Sequence, residues 1–567
     1  ALHRRQDSSG VWEGFIPNVS ENVMYKYYII SRNNHETQKS DPFSFGCELA
    51  PNRASVTKKL NYHWGDKKWM KNRKKFNFTN QPISIYELHL GSWRRNLEGE
   101  FKTYRELADE LVSYVQETGF THVEFLPLMG HPYYGSWGYQ ALSYFAPSAR
   151  YGNPQDLMYL IDCLHQNGIG VVFDWVASNF PCDDHGIANF DGTRLFEYEG
   201  LHPDWNSCMF NLGRHETINF LISSALFWIE EYHVDALRVD AVASMLYLDY
   251  SRDDEQWEPN ILGGRENLEA VSFLRQLNEA VKMENPDVQV VAEDSSAWTD
   301  VSRPCVSGGL GFDMKWNMGW MHDTLEYFKK KYVLREQCYR DITFSLYYAF
   351  SENFLLSLSH DEVVHEKSSL VGKMPGGDIE KFANLRCLFG YMYAHPGKKL
   401  LFMGGEFAQW KEWDHESQIE WHLLKYARHK GIQKLVRDLN VLYRGEPALY
   451  QQDFNHEGFE WVDMVEANPF ILSFVRKGFE LEDQIFIVCN FGNKTAMNCQ
   501  FRFVSSGVWG ELINSNARKY GGTYQKFFDK ISVAHNPLPI FDETHSMKNY
   551  SVTLDVPPLS VTFFKKL

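Results

Sequence analysis

The 567-residue sequence lacks several features that would each indicate a particular class of protein. It has no apolar run near the roughly 18 residues that a membrane-spanning helix needs, so we expect no membrane partner. It has no tract rich in lysine or arginine, and its formal net charge of -16 repels phosphate backbones and anionic lipids. We therefore expect no nucleic-acid partner either.

The cysteines also lack a pattern. There are nine, an odd number, and no two are spaced as Cys-x-x-Cys or as part of a Cys/His metal site. This predicts free, buried thiols in a reducing compartment, and therefore a cytoplasmic protein.

The acidic residues lack the spacing of a calcium loop. We expect no metal and no organic cofactor, and we expect the chain to be a monomer.

Short apolar strands alternate with amphipathic helices through the middle of the chain. Helices are predicted at residues 103–118 and 155–166, the first ended by Gly119. Eight strands are predicted, at residues 83–88, 123–126, 170–174, 236–240, 288–293, 312–316, 354–358 and 400–403. This α/β pattern predicts a (β/α)8 TIM barrel. The alternative, a doubly wound open sheet, would need a glycine-rich phosphate turn after its first strand, and none follows Leu90.

The two ends of the chain have a different pattern. Short β-type runs at residues 10–16 and 25–30 predict a small N-terminal β module, followed by a basic linker at residues 67–75. Alternation at residues 551–556 and 559–563, around a Pro-Pro turn, predicts a C-terminal antiparallel β domain. The predicted organisation is a partial β-sandwich, the barrel and an all-β domain, at residues 1–75, 76–455 and 456–567.

Polar residues end several of the predicted barrel strands, where barrel enzymes carry their active sites. They are Asp174 on the third strand, Arg238 and Asp240 on the fourth, Glu293 on the fifth, and His360 and Asp361 on the seventh. Each alone fits a helix cap or a loop salt bridge. Their joint placement at one end of the barrel favours a catalytic site.

The carboxyl groups among them suit the cleavage of a glycosidic bond with retention of configuration. That reaction needs an ionised nucleophile and a protonated acid about 5 Å apart. Arg238 lies two residues before Asp240, on the same strand face, and its charge would hold that carboxylate ionised. Glu293 closes an apolar strand beside other acids, which would raise its pKa toward that of a general acid. Asp361 is then the third carboxylate, stabilising positive charge on the sugar ring.

Three sequence blocks resemble conserved regions of the α-amylase superfamily, glycoside hydrolase family 13. They are residues 235–242, 292–295 and 358–365. Residues 86–93, 135–140 and 402–409 are similar to bacterial-type glycogen branching enzymes in particular, and this resemblance covers nearly the whole chain. It implies a 1,4-alpha-glucan branching activity, which cuts an α-1,4 bond and rejoins the piece through an α-1,6 bond. The implied partners are glycogen, amylose and amylopectin.

The resemblance also implies roles for individual residues. Asp240 would be the nucleophile, Glu293 the general acid and base, and Asp361 the transition-state stabiliser. The substrate-binding residues would be Tyr139, which stacks beneath the glucose to be cleaved, His360 and Arg238, which contact a hydroxyl and the nucleophile, and Asp174, which supports the floor of that subsite. Gly135, Trp137 and Gly138 also suit a plain turn, so Tyr139 could instead be an ordinary loop aromatic.

The sequence departs from similar enzymes at one informative position. Where they have Asp-Trp-Val-Pro-Gly-His-Phe-Pro, residues 174–181 have Ala177, Ser178 and Asn179 in place of Pro, Gly and His. The expected sugar-binding histidine is thus Asn179, whose amide is shorter and cannot carry charge. The N-terminal module also resembles only the latter half of a starch-binding-like β-sandwich.

Two further classes of function remain open at the level of sequence. The same scaffold serves hydrolases of α-1,4 or α-1,6 bonds, in which water receives the glycosyl group. A weakly active or non-catalytic glucan-binding protein is the other alternative, because Asn179 and the shortened N-terminal module depart from the family pattern. Such a protein would normally also have lost a catalytic carboxylate, and all three are present.

Overall fold

The structure is a computed structural model and describes residues 1–7, 10–503, 505–525, 530–535 and 550–567. Eight parallel strands close into a central barrel in which each pairs with its neighbours in sequence and the last pairs with the first. We number them barrel strands 1 to 8; their bounds are Ser84–Leu88, His122–Phe125, Gly170–Trp175, Ala236–Val239, Gln289–Ala292, Met314–Trp316, Phe354–Leu358 and Lys398–Phe402. The predicted barrel is confirmed, with all eight strands at the expected positions.

The side chains inside the barrel change from apolar to polar along the strands. Ile85, Val172, Ala236 and Val291 belong to one buried apolar cluster. Two positions further along the chain lie Glu87, Asp174 and Arg238, on their strands, and Glu293, directly after its strand. Side chains two residues apart on a strand share a face, so these polar groups lie at the carboxyl ends of the strands, above the apolar cluster.

Helices surround the barrel. In the described ranges the α-helices are Lys67–Arg73, Leu90–Trp93, Tyr104–Thr118, Pro154–Gln166, His215–Glu231, Val242–Leu246, Leu268–Glu284, Met318–Lys329, Tyr332–Arg335, Tyr339–Tyr348, Leu370–Lys373, Asp378–Ala394 and Ala427–Gly445. The helix Tyr104–Thr118 begins with a capping box between Thr103 and Glu106 and ends at Gly119, whose φ of +78° suits glycine. Both helices predicted from the sequence are present.

Residues 67–75, predicted to be a linker, instead contain the helix Lys67–Arg73. Arg73 is buried and donates hydrogen bonds to Asp287 at 2.8 Å and to Asp235 at 3.2 Å. The indole of Trp69 donates to the same Asp235 carboxylate at 2.8 Å. The prediction was wrong because the lysines dominate the composition of this stretch, whereas Trp69 and Arg73 attach it to the barrel.

The N-terminal residues form three separate two-stranded antiparallel sheets. The paired strands are His3–Arg4 with Trp12–Glu13, Met24–Tyr25 with Ser55–Val56, and Tyr27–Ile30 with Glu36–Lys39. Lys39 joins this segment to the barrel, because its ammonium group donates to the carbonyl of Ala188 at 2.6 Å. A partial β-sandwich with a boundary at residue 75 stays a prediction.

The C-terminal antiparallel β domain is confirmed. Its strands are Phe459–Trp461, Ile471–Lys477, Gln484–Asn490, Ala496–Phe503, Gly507–Asn514, Ile531–His535, Tyr550–Val556 and Ser560–Lys566. The last two, which the sequence predicted on either side of Pro557 and Pro558, do not pair with each other. Ser560–Lys566 pairs with Gln484–Asn490 and Gly507–Asn514 instead. The boundary at residue 455 stays a prediction.

Two small sheets stand at the carboxyl end of the barrel. The loop after barrel strand 2 contains the paired strands Met129–Gly130 and Ser143–Pro147. The loop after barrel strand 3 contains a three-stranded antiparallel sheet, which we call the loop sheet. Its strands, in spatial order, are Asn179–Phe180, Cys208–Phe210 and Glu197–Leu201. Both sheets rise beside the polar strand ends.

All nine cysteines are free thiols. Four are buried, but Cys182 is exposed, so the prediction of buried thiols is wrong there; its Sγ lies 2.9 Å from Sγ of Cys208. In the ranges that the structure describes, no helix has the length and apolar character to cross a bilayer. The same residues contain no group of three His, Cys, Asp or Glu side chains that could hold a metal ion.

Candidate active site

The acidic residues that end barrel strands 3, 4 and 5 converge on the guanidinium group of Arg238. Its Nη1 donates to both carboxylate oxygens of Asp174, at 2.8 and 2.7 Å, and to Asp240 Oδ1 at 2.7 Å. Its Nη2 lies 3.7 Å from Glu293 Oε2. Asp174 lies opposite Arg238 in the strand register, and the contact that the spacing predicted between Arg238 and Asp240 is present. One buried cation thus links three carboxyl groups.

Backbone geometry fixes Glu293 beside Asp240. Ala241, the residue after Asp240, has a φ of +52°, which an alanine rarely adopts. In this conformation its N–H donates to Glu293 Oε2 at 2.7 Å. The N–H of Val242 donates to the Glu293 carbonyl at 2.9 Å. The strained residue therefore joins the ends of barrel strands 4 and 5.

Asp240 and Glu293 both have raised pKa values. Burial raises the pKa of Asp240 to about 6 and that of Glu293 to about 7, in both cases against the opposing charge of Arg238. We expected Arg238 to hold Asp240 ionised, but burial outweighs it enough to raise the pKa. The two groups titrate as a pair, which holds about one proton near neutral pH.

His360 is buried between two carboxylates. Its Nδ1 lies 2.6 Å from Glu87 Oε1, and its Nε2 lies 3.5 Å from Asp361 Oδ1. Burial acts to lower the pKa of His360, but Asp361 and Glu87 outweigh it and raise this pKa to about 9. The ring is therefore an imidazolium near neutral pH, in which Nδ1–H donates to Glu87 and Nε2–H is the donor that remains for the site.

Tyr139 joins the same cluster from the loop after barrel strand 2. Its hydroxyl donates to Asp174 Oδ2 at 2.6 Å, and its ring stacks on His360 with centroids 5.6 Å apart. Gly138 permits the tight turn before it: its φ is +100°, and a Cβ there would meet the carbonyl oxygen of Pro127. Contact with Asp174 and His360 distinguishes Tyr139 from an ordinary loop aromatic.

Asp361 and Asn179 lie at the edges of this cluster. The Asp361 side chain is half exposed. Burial acts to raise its pKa, but the charges of His360 and Arg238 outweigh it and lower the pKa. Asn179 is buried in the loop sheet, and its amide donates to Ser178 Oγ at 2.8 Å. The Asn179 amide thus already has one partner within the protein.

A cavity of about 470 Å³ opens above these groups. Six of the eight predicted site residues line it: Tyr139, Asn179, Asp240, Glu293, His360 and Asp361. Asp174 and Arg238 are almost fully buried and contact the groups that form its floor. The structure therefore brings all eight predicted residues together.

Several residues of the site were not predicted from the sequence. Glu87 binds His360 and Ser359, and its place two residues after buried Ile85 on barrel strand 1 could have indicated that it points inward. Trp205, Ser207 and Tyr250 also line the cavity, but they lie in loops whose paths carry no periodic signal. These loop residues could not have been predicted from the alternation of apolar and polar residues that identifies a strand.

Comparison with known proteins identifies the family. A 1,4-alpha-glucan branching enzyme GlgB from Aquifex aeolicus is 56% identical to this chain, over 99% of the chain and 89% of the relative. A GlgB from Aromatoleum aromaticum is 52% identical, over 99% of the chain and 88% of the relative. This chain belongs to the family of 1,4-alpha-glucan branching enzymes. The model of the alpha amylase C-terminal all-beta domain also matches residues 461–566.

Solved structures resemble the fold of this family member at low sequence identity. A pullulanase from Anoxybacillus sp. LM18-11, complexed with maltotetraose, has a TM-score of 0.72 at 16% identity and covers 100% of this chain and 82% of its own. A putative alpha amylase from Salmonella typhimurium has a TM-score of 0.67 at 16% identity, with 100% and 94% covered. At this identity the likeness shows the fold alone.

Family membership confirms the branching activity that the sequence predicted. Relatives at about half identity over nearly the whole chain carry the branching-enzyme name, so hydrolysis and non-catalytic glucan binding are not favoured. The roles of the individual site residues stay predictions.

Proposed function

We propose that this branching enzyme cleaves α-1,4-glucan with Asp240 as nucleophile and Glu293 as general acid and base. The observation that carries the proposal is the pair of carboxyl groups held by Arg238 at the ends of adjacent barrel strands, with Asp240 hydrogen-bonded to the guanidinium group at 2.7 Å and Glu293 3.7 Å from it. Retaining cleavage needs one ionised and one protonated carboxyl group.

In the first step an ionised Asp240 oxygen attacks C1 of the glucose at the cleavage site. The C1–O bond to the next glucose breaks, and Glu293 gives its proton to the departing oxygen. The products are a glycosyl ester on Asp240, a shortened glucan and an ionised Glu293. Ala241 N–H stabilises that Glu293 carboxylate through its 2.7 Å hydrogen bond.

In the second step the 6-hydroxyl of a glucan chain attacks the same C1. Glu293 takes the hydroxyl proton, the ester bond to Asp240 breaks, and Asp240 becomes ionised again. Two inversions leave the α configuration unchanged, so the new bond is α-1,6. The charge of Arg238 favours the return of negative charge to Asp240.

The remaining residues would bind and stabilise the sugar between these steps. Asp361, ionised and half exposed, would stabilise the positive charge that develops at C1. The imidazolium of His360 would donate to a glucose hydroxyl, and Tyr139 would stack beneath the ring. Asp174 would hold Arg238 and Tyr139 in place, and Asn179 would supply an amide at the edge of the subsite.

Glycosyl-enzyme trapping tests the roles of the two principal carboxyl groups. With α-maltotriosyl fluoride, the fluoride leaves without a proton from Glu293, whereas the second step still needs its base. We expect Glu293→Gln to accumulate a maltotriosyl ester on Asp240, detected by peptide mass spectrometry. Asp240→Ala should form none. On amylose, each substitution should lower the rate by several orders of magnitude without altering the circular dichroism spectrum.

Two outcomes would overturn these roles. The first is an ester found on Glu293 or Asp361. The second is a variant at Asp240 or Glu293 that retains about a third of the wild-type activity on amylose.

The finer expectations about partners, location and organisation are also proposals. The free state of all nine cysteines supports a reducing compartment such as the cytoplasm. We propose glycogen, amylose or amylopectin as the glucan and a monomer as the active form, which light scattering would test against the chain mass of 66.2 kDa. The three-domain division at residues 75 and 455 is likewise proposed.

A further inference from the structure

The loop sheet contains a pair of cysteine thiols to which the branching reaction gives no role. Cys182 lies two residues after the strand Asn179–Phe180, and Cys208 begins the neighbouring strand Cys208–Phe210. Phe180 pairs with Cys208 in the register, so the chain holds Cys182 beside the same strand. The two Sγ atoms lie 2.9 Å apart. The fold therefore places two thiols in direct contact.

The two thiols differ in their access to solvent. Cys182 is the exposed cysteine of the nine, whereas the other eight are buried or half-buried, and Cys208 is 6% exposed. Burial and the contact with Cys182 raise the pKa of the Cys208 thiol, which lowers its reactivity. A dissolved oxidant would therefore react first at Cys182, with Cys208 in place to react second.

Little movement separates this contact from a covalent bond. The sulfur atoms of a disulfide are about 2.05 Å apart, so the two Sγ atoms, which lie at 2.9 Å, need to approach by under about 1 Å. Pairing of the two strands already brings the ends of the intervening segment together, so closing the ring costs little further chain entropy. The pair is therefore placed for an internal disulfide.

The segment between the two cysteines forms part of the wall of the catalytic cavity. A bond between Cys182 and Cys208, which are 26 positions apart, would close this segment into a ring. Trp205 and Ser207 lie inside the ring and line the cavity, as does Asn179, three positions before the ring begins. Chemistry at the thiols would therefore act on a wall that the glucan passes.

We propose that Cys182 and Cys208 form a reversible redox site, which closes to a disulfide in the presence of a small-molecule disulfide such as oxidised glutathione. The closed form restricts the entry of glucan into the cavity. In a reducing compartment the pair stays as two thiols, so the enzyme is fully accessible to glucan there.

The exchange takes place in two balanced steps. The Cys182 thiolate attacks one sulfur of the oxidant, whose S–S bond breaks, and the thiolate that leaves takes up a proton. The Cys208 thiolate then attacks the sulfur of Cys182, and the second half of the oxidant leaves in the same way. The two cysteines are oxidised and the oxidant is reduced to two thiols. An excess of a dithiol reverses both steps.

The disulfide should affect substrate binding more than the chemical step. A ring fixes the wall and removes the displaced positions through which a long glucan enters the cavity. Asp240 and Glu293 follow barrel strands 4 and 5, outside the ring, so their reaction with bound glucan should change little. This effect rests on the proposed function, which makes the cavity the active site, whereas formation of the disulfide does not.

Peptide mass spectrometry tests where the disulfide forms. The full chain is incubated with oxidised glutathione, free thiols are alkylated, and trypsin is added without a reductant. We expect peptide 151–194 joined to peptide 195–214 through Cys182 and Cys208, and dithiothreitol should separate the two peptides. Cys182→Ser should abolish this linkage. Cys163→Ser changes the other cysteine of peptide 151–194 and should retain it.

Three results of this experiment would overturn the redox site. They are glutathione that stays on Cys182 as a mixed disulfide, a linkage through Cys163, and an absence of oxidation at Cys182. None of these results depends on the activity of the enzyme.

Kinetics on amylose test the effect on glucan entry. We expect oxidation of wild type to raise KM for amylose at least threefold while kcat stays within about twofold, and dithiothreitol should restore KM. Cys182→Ser should have the KM of reduced wild type both with and without oxidised glutathione. An oxidised wild type whose linked peptides are present but whose KM is unchanged would refute the restriction of entry. If reduced wild type forms no branches, the proposed function fails instead.

Discussion

Asp240 and Glu293 are the two residues through which we expect enzyme activity to depend on pH. The proposed roles need Asp240 ionised and Glu293 protonated in the free enzyme, and burial raises their pKa values to about 6 and about 7. We predict a bell-shaped dependence of kcat/KM on pH. Activity falls below about pH 6 as Asp240 gains a proton and above about pH 7 as Glu293 loses one. Initial rates on amylose from pH 4.5 to 9 would measure both limbs.

Glu293→Gln provides the control for this pH profile. With α-maltotriosyl fluoride the first step no longer needs an acid, so fluoride release by this variant should lose the alkaline limb and keep the acidic one. A profile that keeps its alkaline limb in Glu293→Gln would show that another group, and not Glu293, titrates there.

Asn179 is the residue at which the sequence departs from similar enzymes. If its side chain binds the glucose at the cleavage site more strongly as the ring flattens, then its identity acts on the chemical step. We predict that Asn179→His raises the turnover number by roughly 3- to 30-fold, equivalent to about 0.7 to 2 kcal/mol, with little change in Tm. Steady-state kinetics on amylose would measure it.

The Asn179 amide donates to Ser178, which suggests the competing possibility that the loop has adapted as a unit. In that case only the triple variant Ala177→Pro, Ser178→Gly, Asn179→His gains activity. If neither variant exceeds the parent, Asn179 does not contact the substrate in the way we predict.

Single residues were predictable where strand spacing determines their direction. Arg238 and Asp240 are two apart on one strand, so their contact followed from the sequence, as did the raised pKa of Glu293 at the end of an apolar strand. The pKa of Asp240 was not predictable, because it depends on how far burial outweighs Arg238. Trp205 was missed because its turn has no periodicity.

At the scale of elements, the helix Lys67–Arg73 was not predictable from its composition. Its lysines predicted a linker, whereas the structure attaches it to the barrel through Arg73 and through Asp66, its N-cap residue. Asp66 Oδ2 lies 3.0 Å from His165 Nδ1, and the other ring nitrogen of His165 lies 2.9 Å from Asp235 Oδ2. Such contacts between distant residues have no local signal.

This buried cluster predicts how stability depends on pH. Burial acts to lower the pKa of His165, but Asp235 and Asp66 outweigh it and raise this pKa to about 9, from about 6.5 in an unfolded chain. Between these values the native state retains a proton that the unfolded chain has released, so stability falls as pH rises. Below about pH 6.5 the contribution, on the order of 3 kcal/mol, is complete.

Replacing His165 tests this dependence. We predict that His165→Gln lowers Tm at pH 6.5 and loses most of the decrease in Tm that wild type shows between pH 6.5 and 9. His322→Gln, which changes a histidine whose side chain is 71% exposed, serves as the control. It should change neither Tm at pH 6.5 nor the decrease in Tm between pH 6.5 and 9. An equal decrease in Tm with pH in wild type and His165→Gln would contradict the assignment.

The elements themselves were predictable to different degrees. All eight barrel strands were found because each is a short apolar run between helices. The N-terminal strands were found only in part: of the run at residues 10–16, the structure has the strand Trp12–Glu13 alone. A two-stranded sheet is only marginally stable by itself and depends on what it packs against, which its own sequence does not encode.

At the scale of the whole molecule, closure of the barrel is what makes a site from residues far apart in sequence. Barrel strand 8 pairs with barrel strand 1, and this pairing helps to bring Glu87 to His360, 273 positions away. A closed barrel predicts such contacts in general, because the carboxyl ends of all its strands lie on one rim. The shape of the cavity above that rim depends on loop paths and was not predictable.

The central claim is that this molecule transfers cleaved glucan to another glucan hydroxyl and not to water. The most direct measurement follows iodine absorbance and reducing ends together during incubation with amylose. We predict that absorbance falls and shifts to shorter wavelength while reducing ends, counted before any debranching, barely rise. A rise in reducing ends that matches the loss of colour would make the protein a hydrolase and contradict the account.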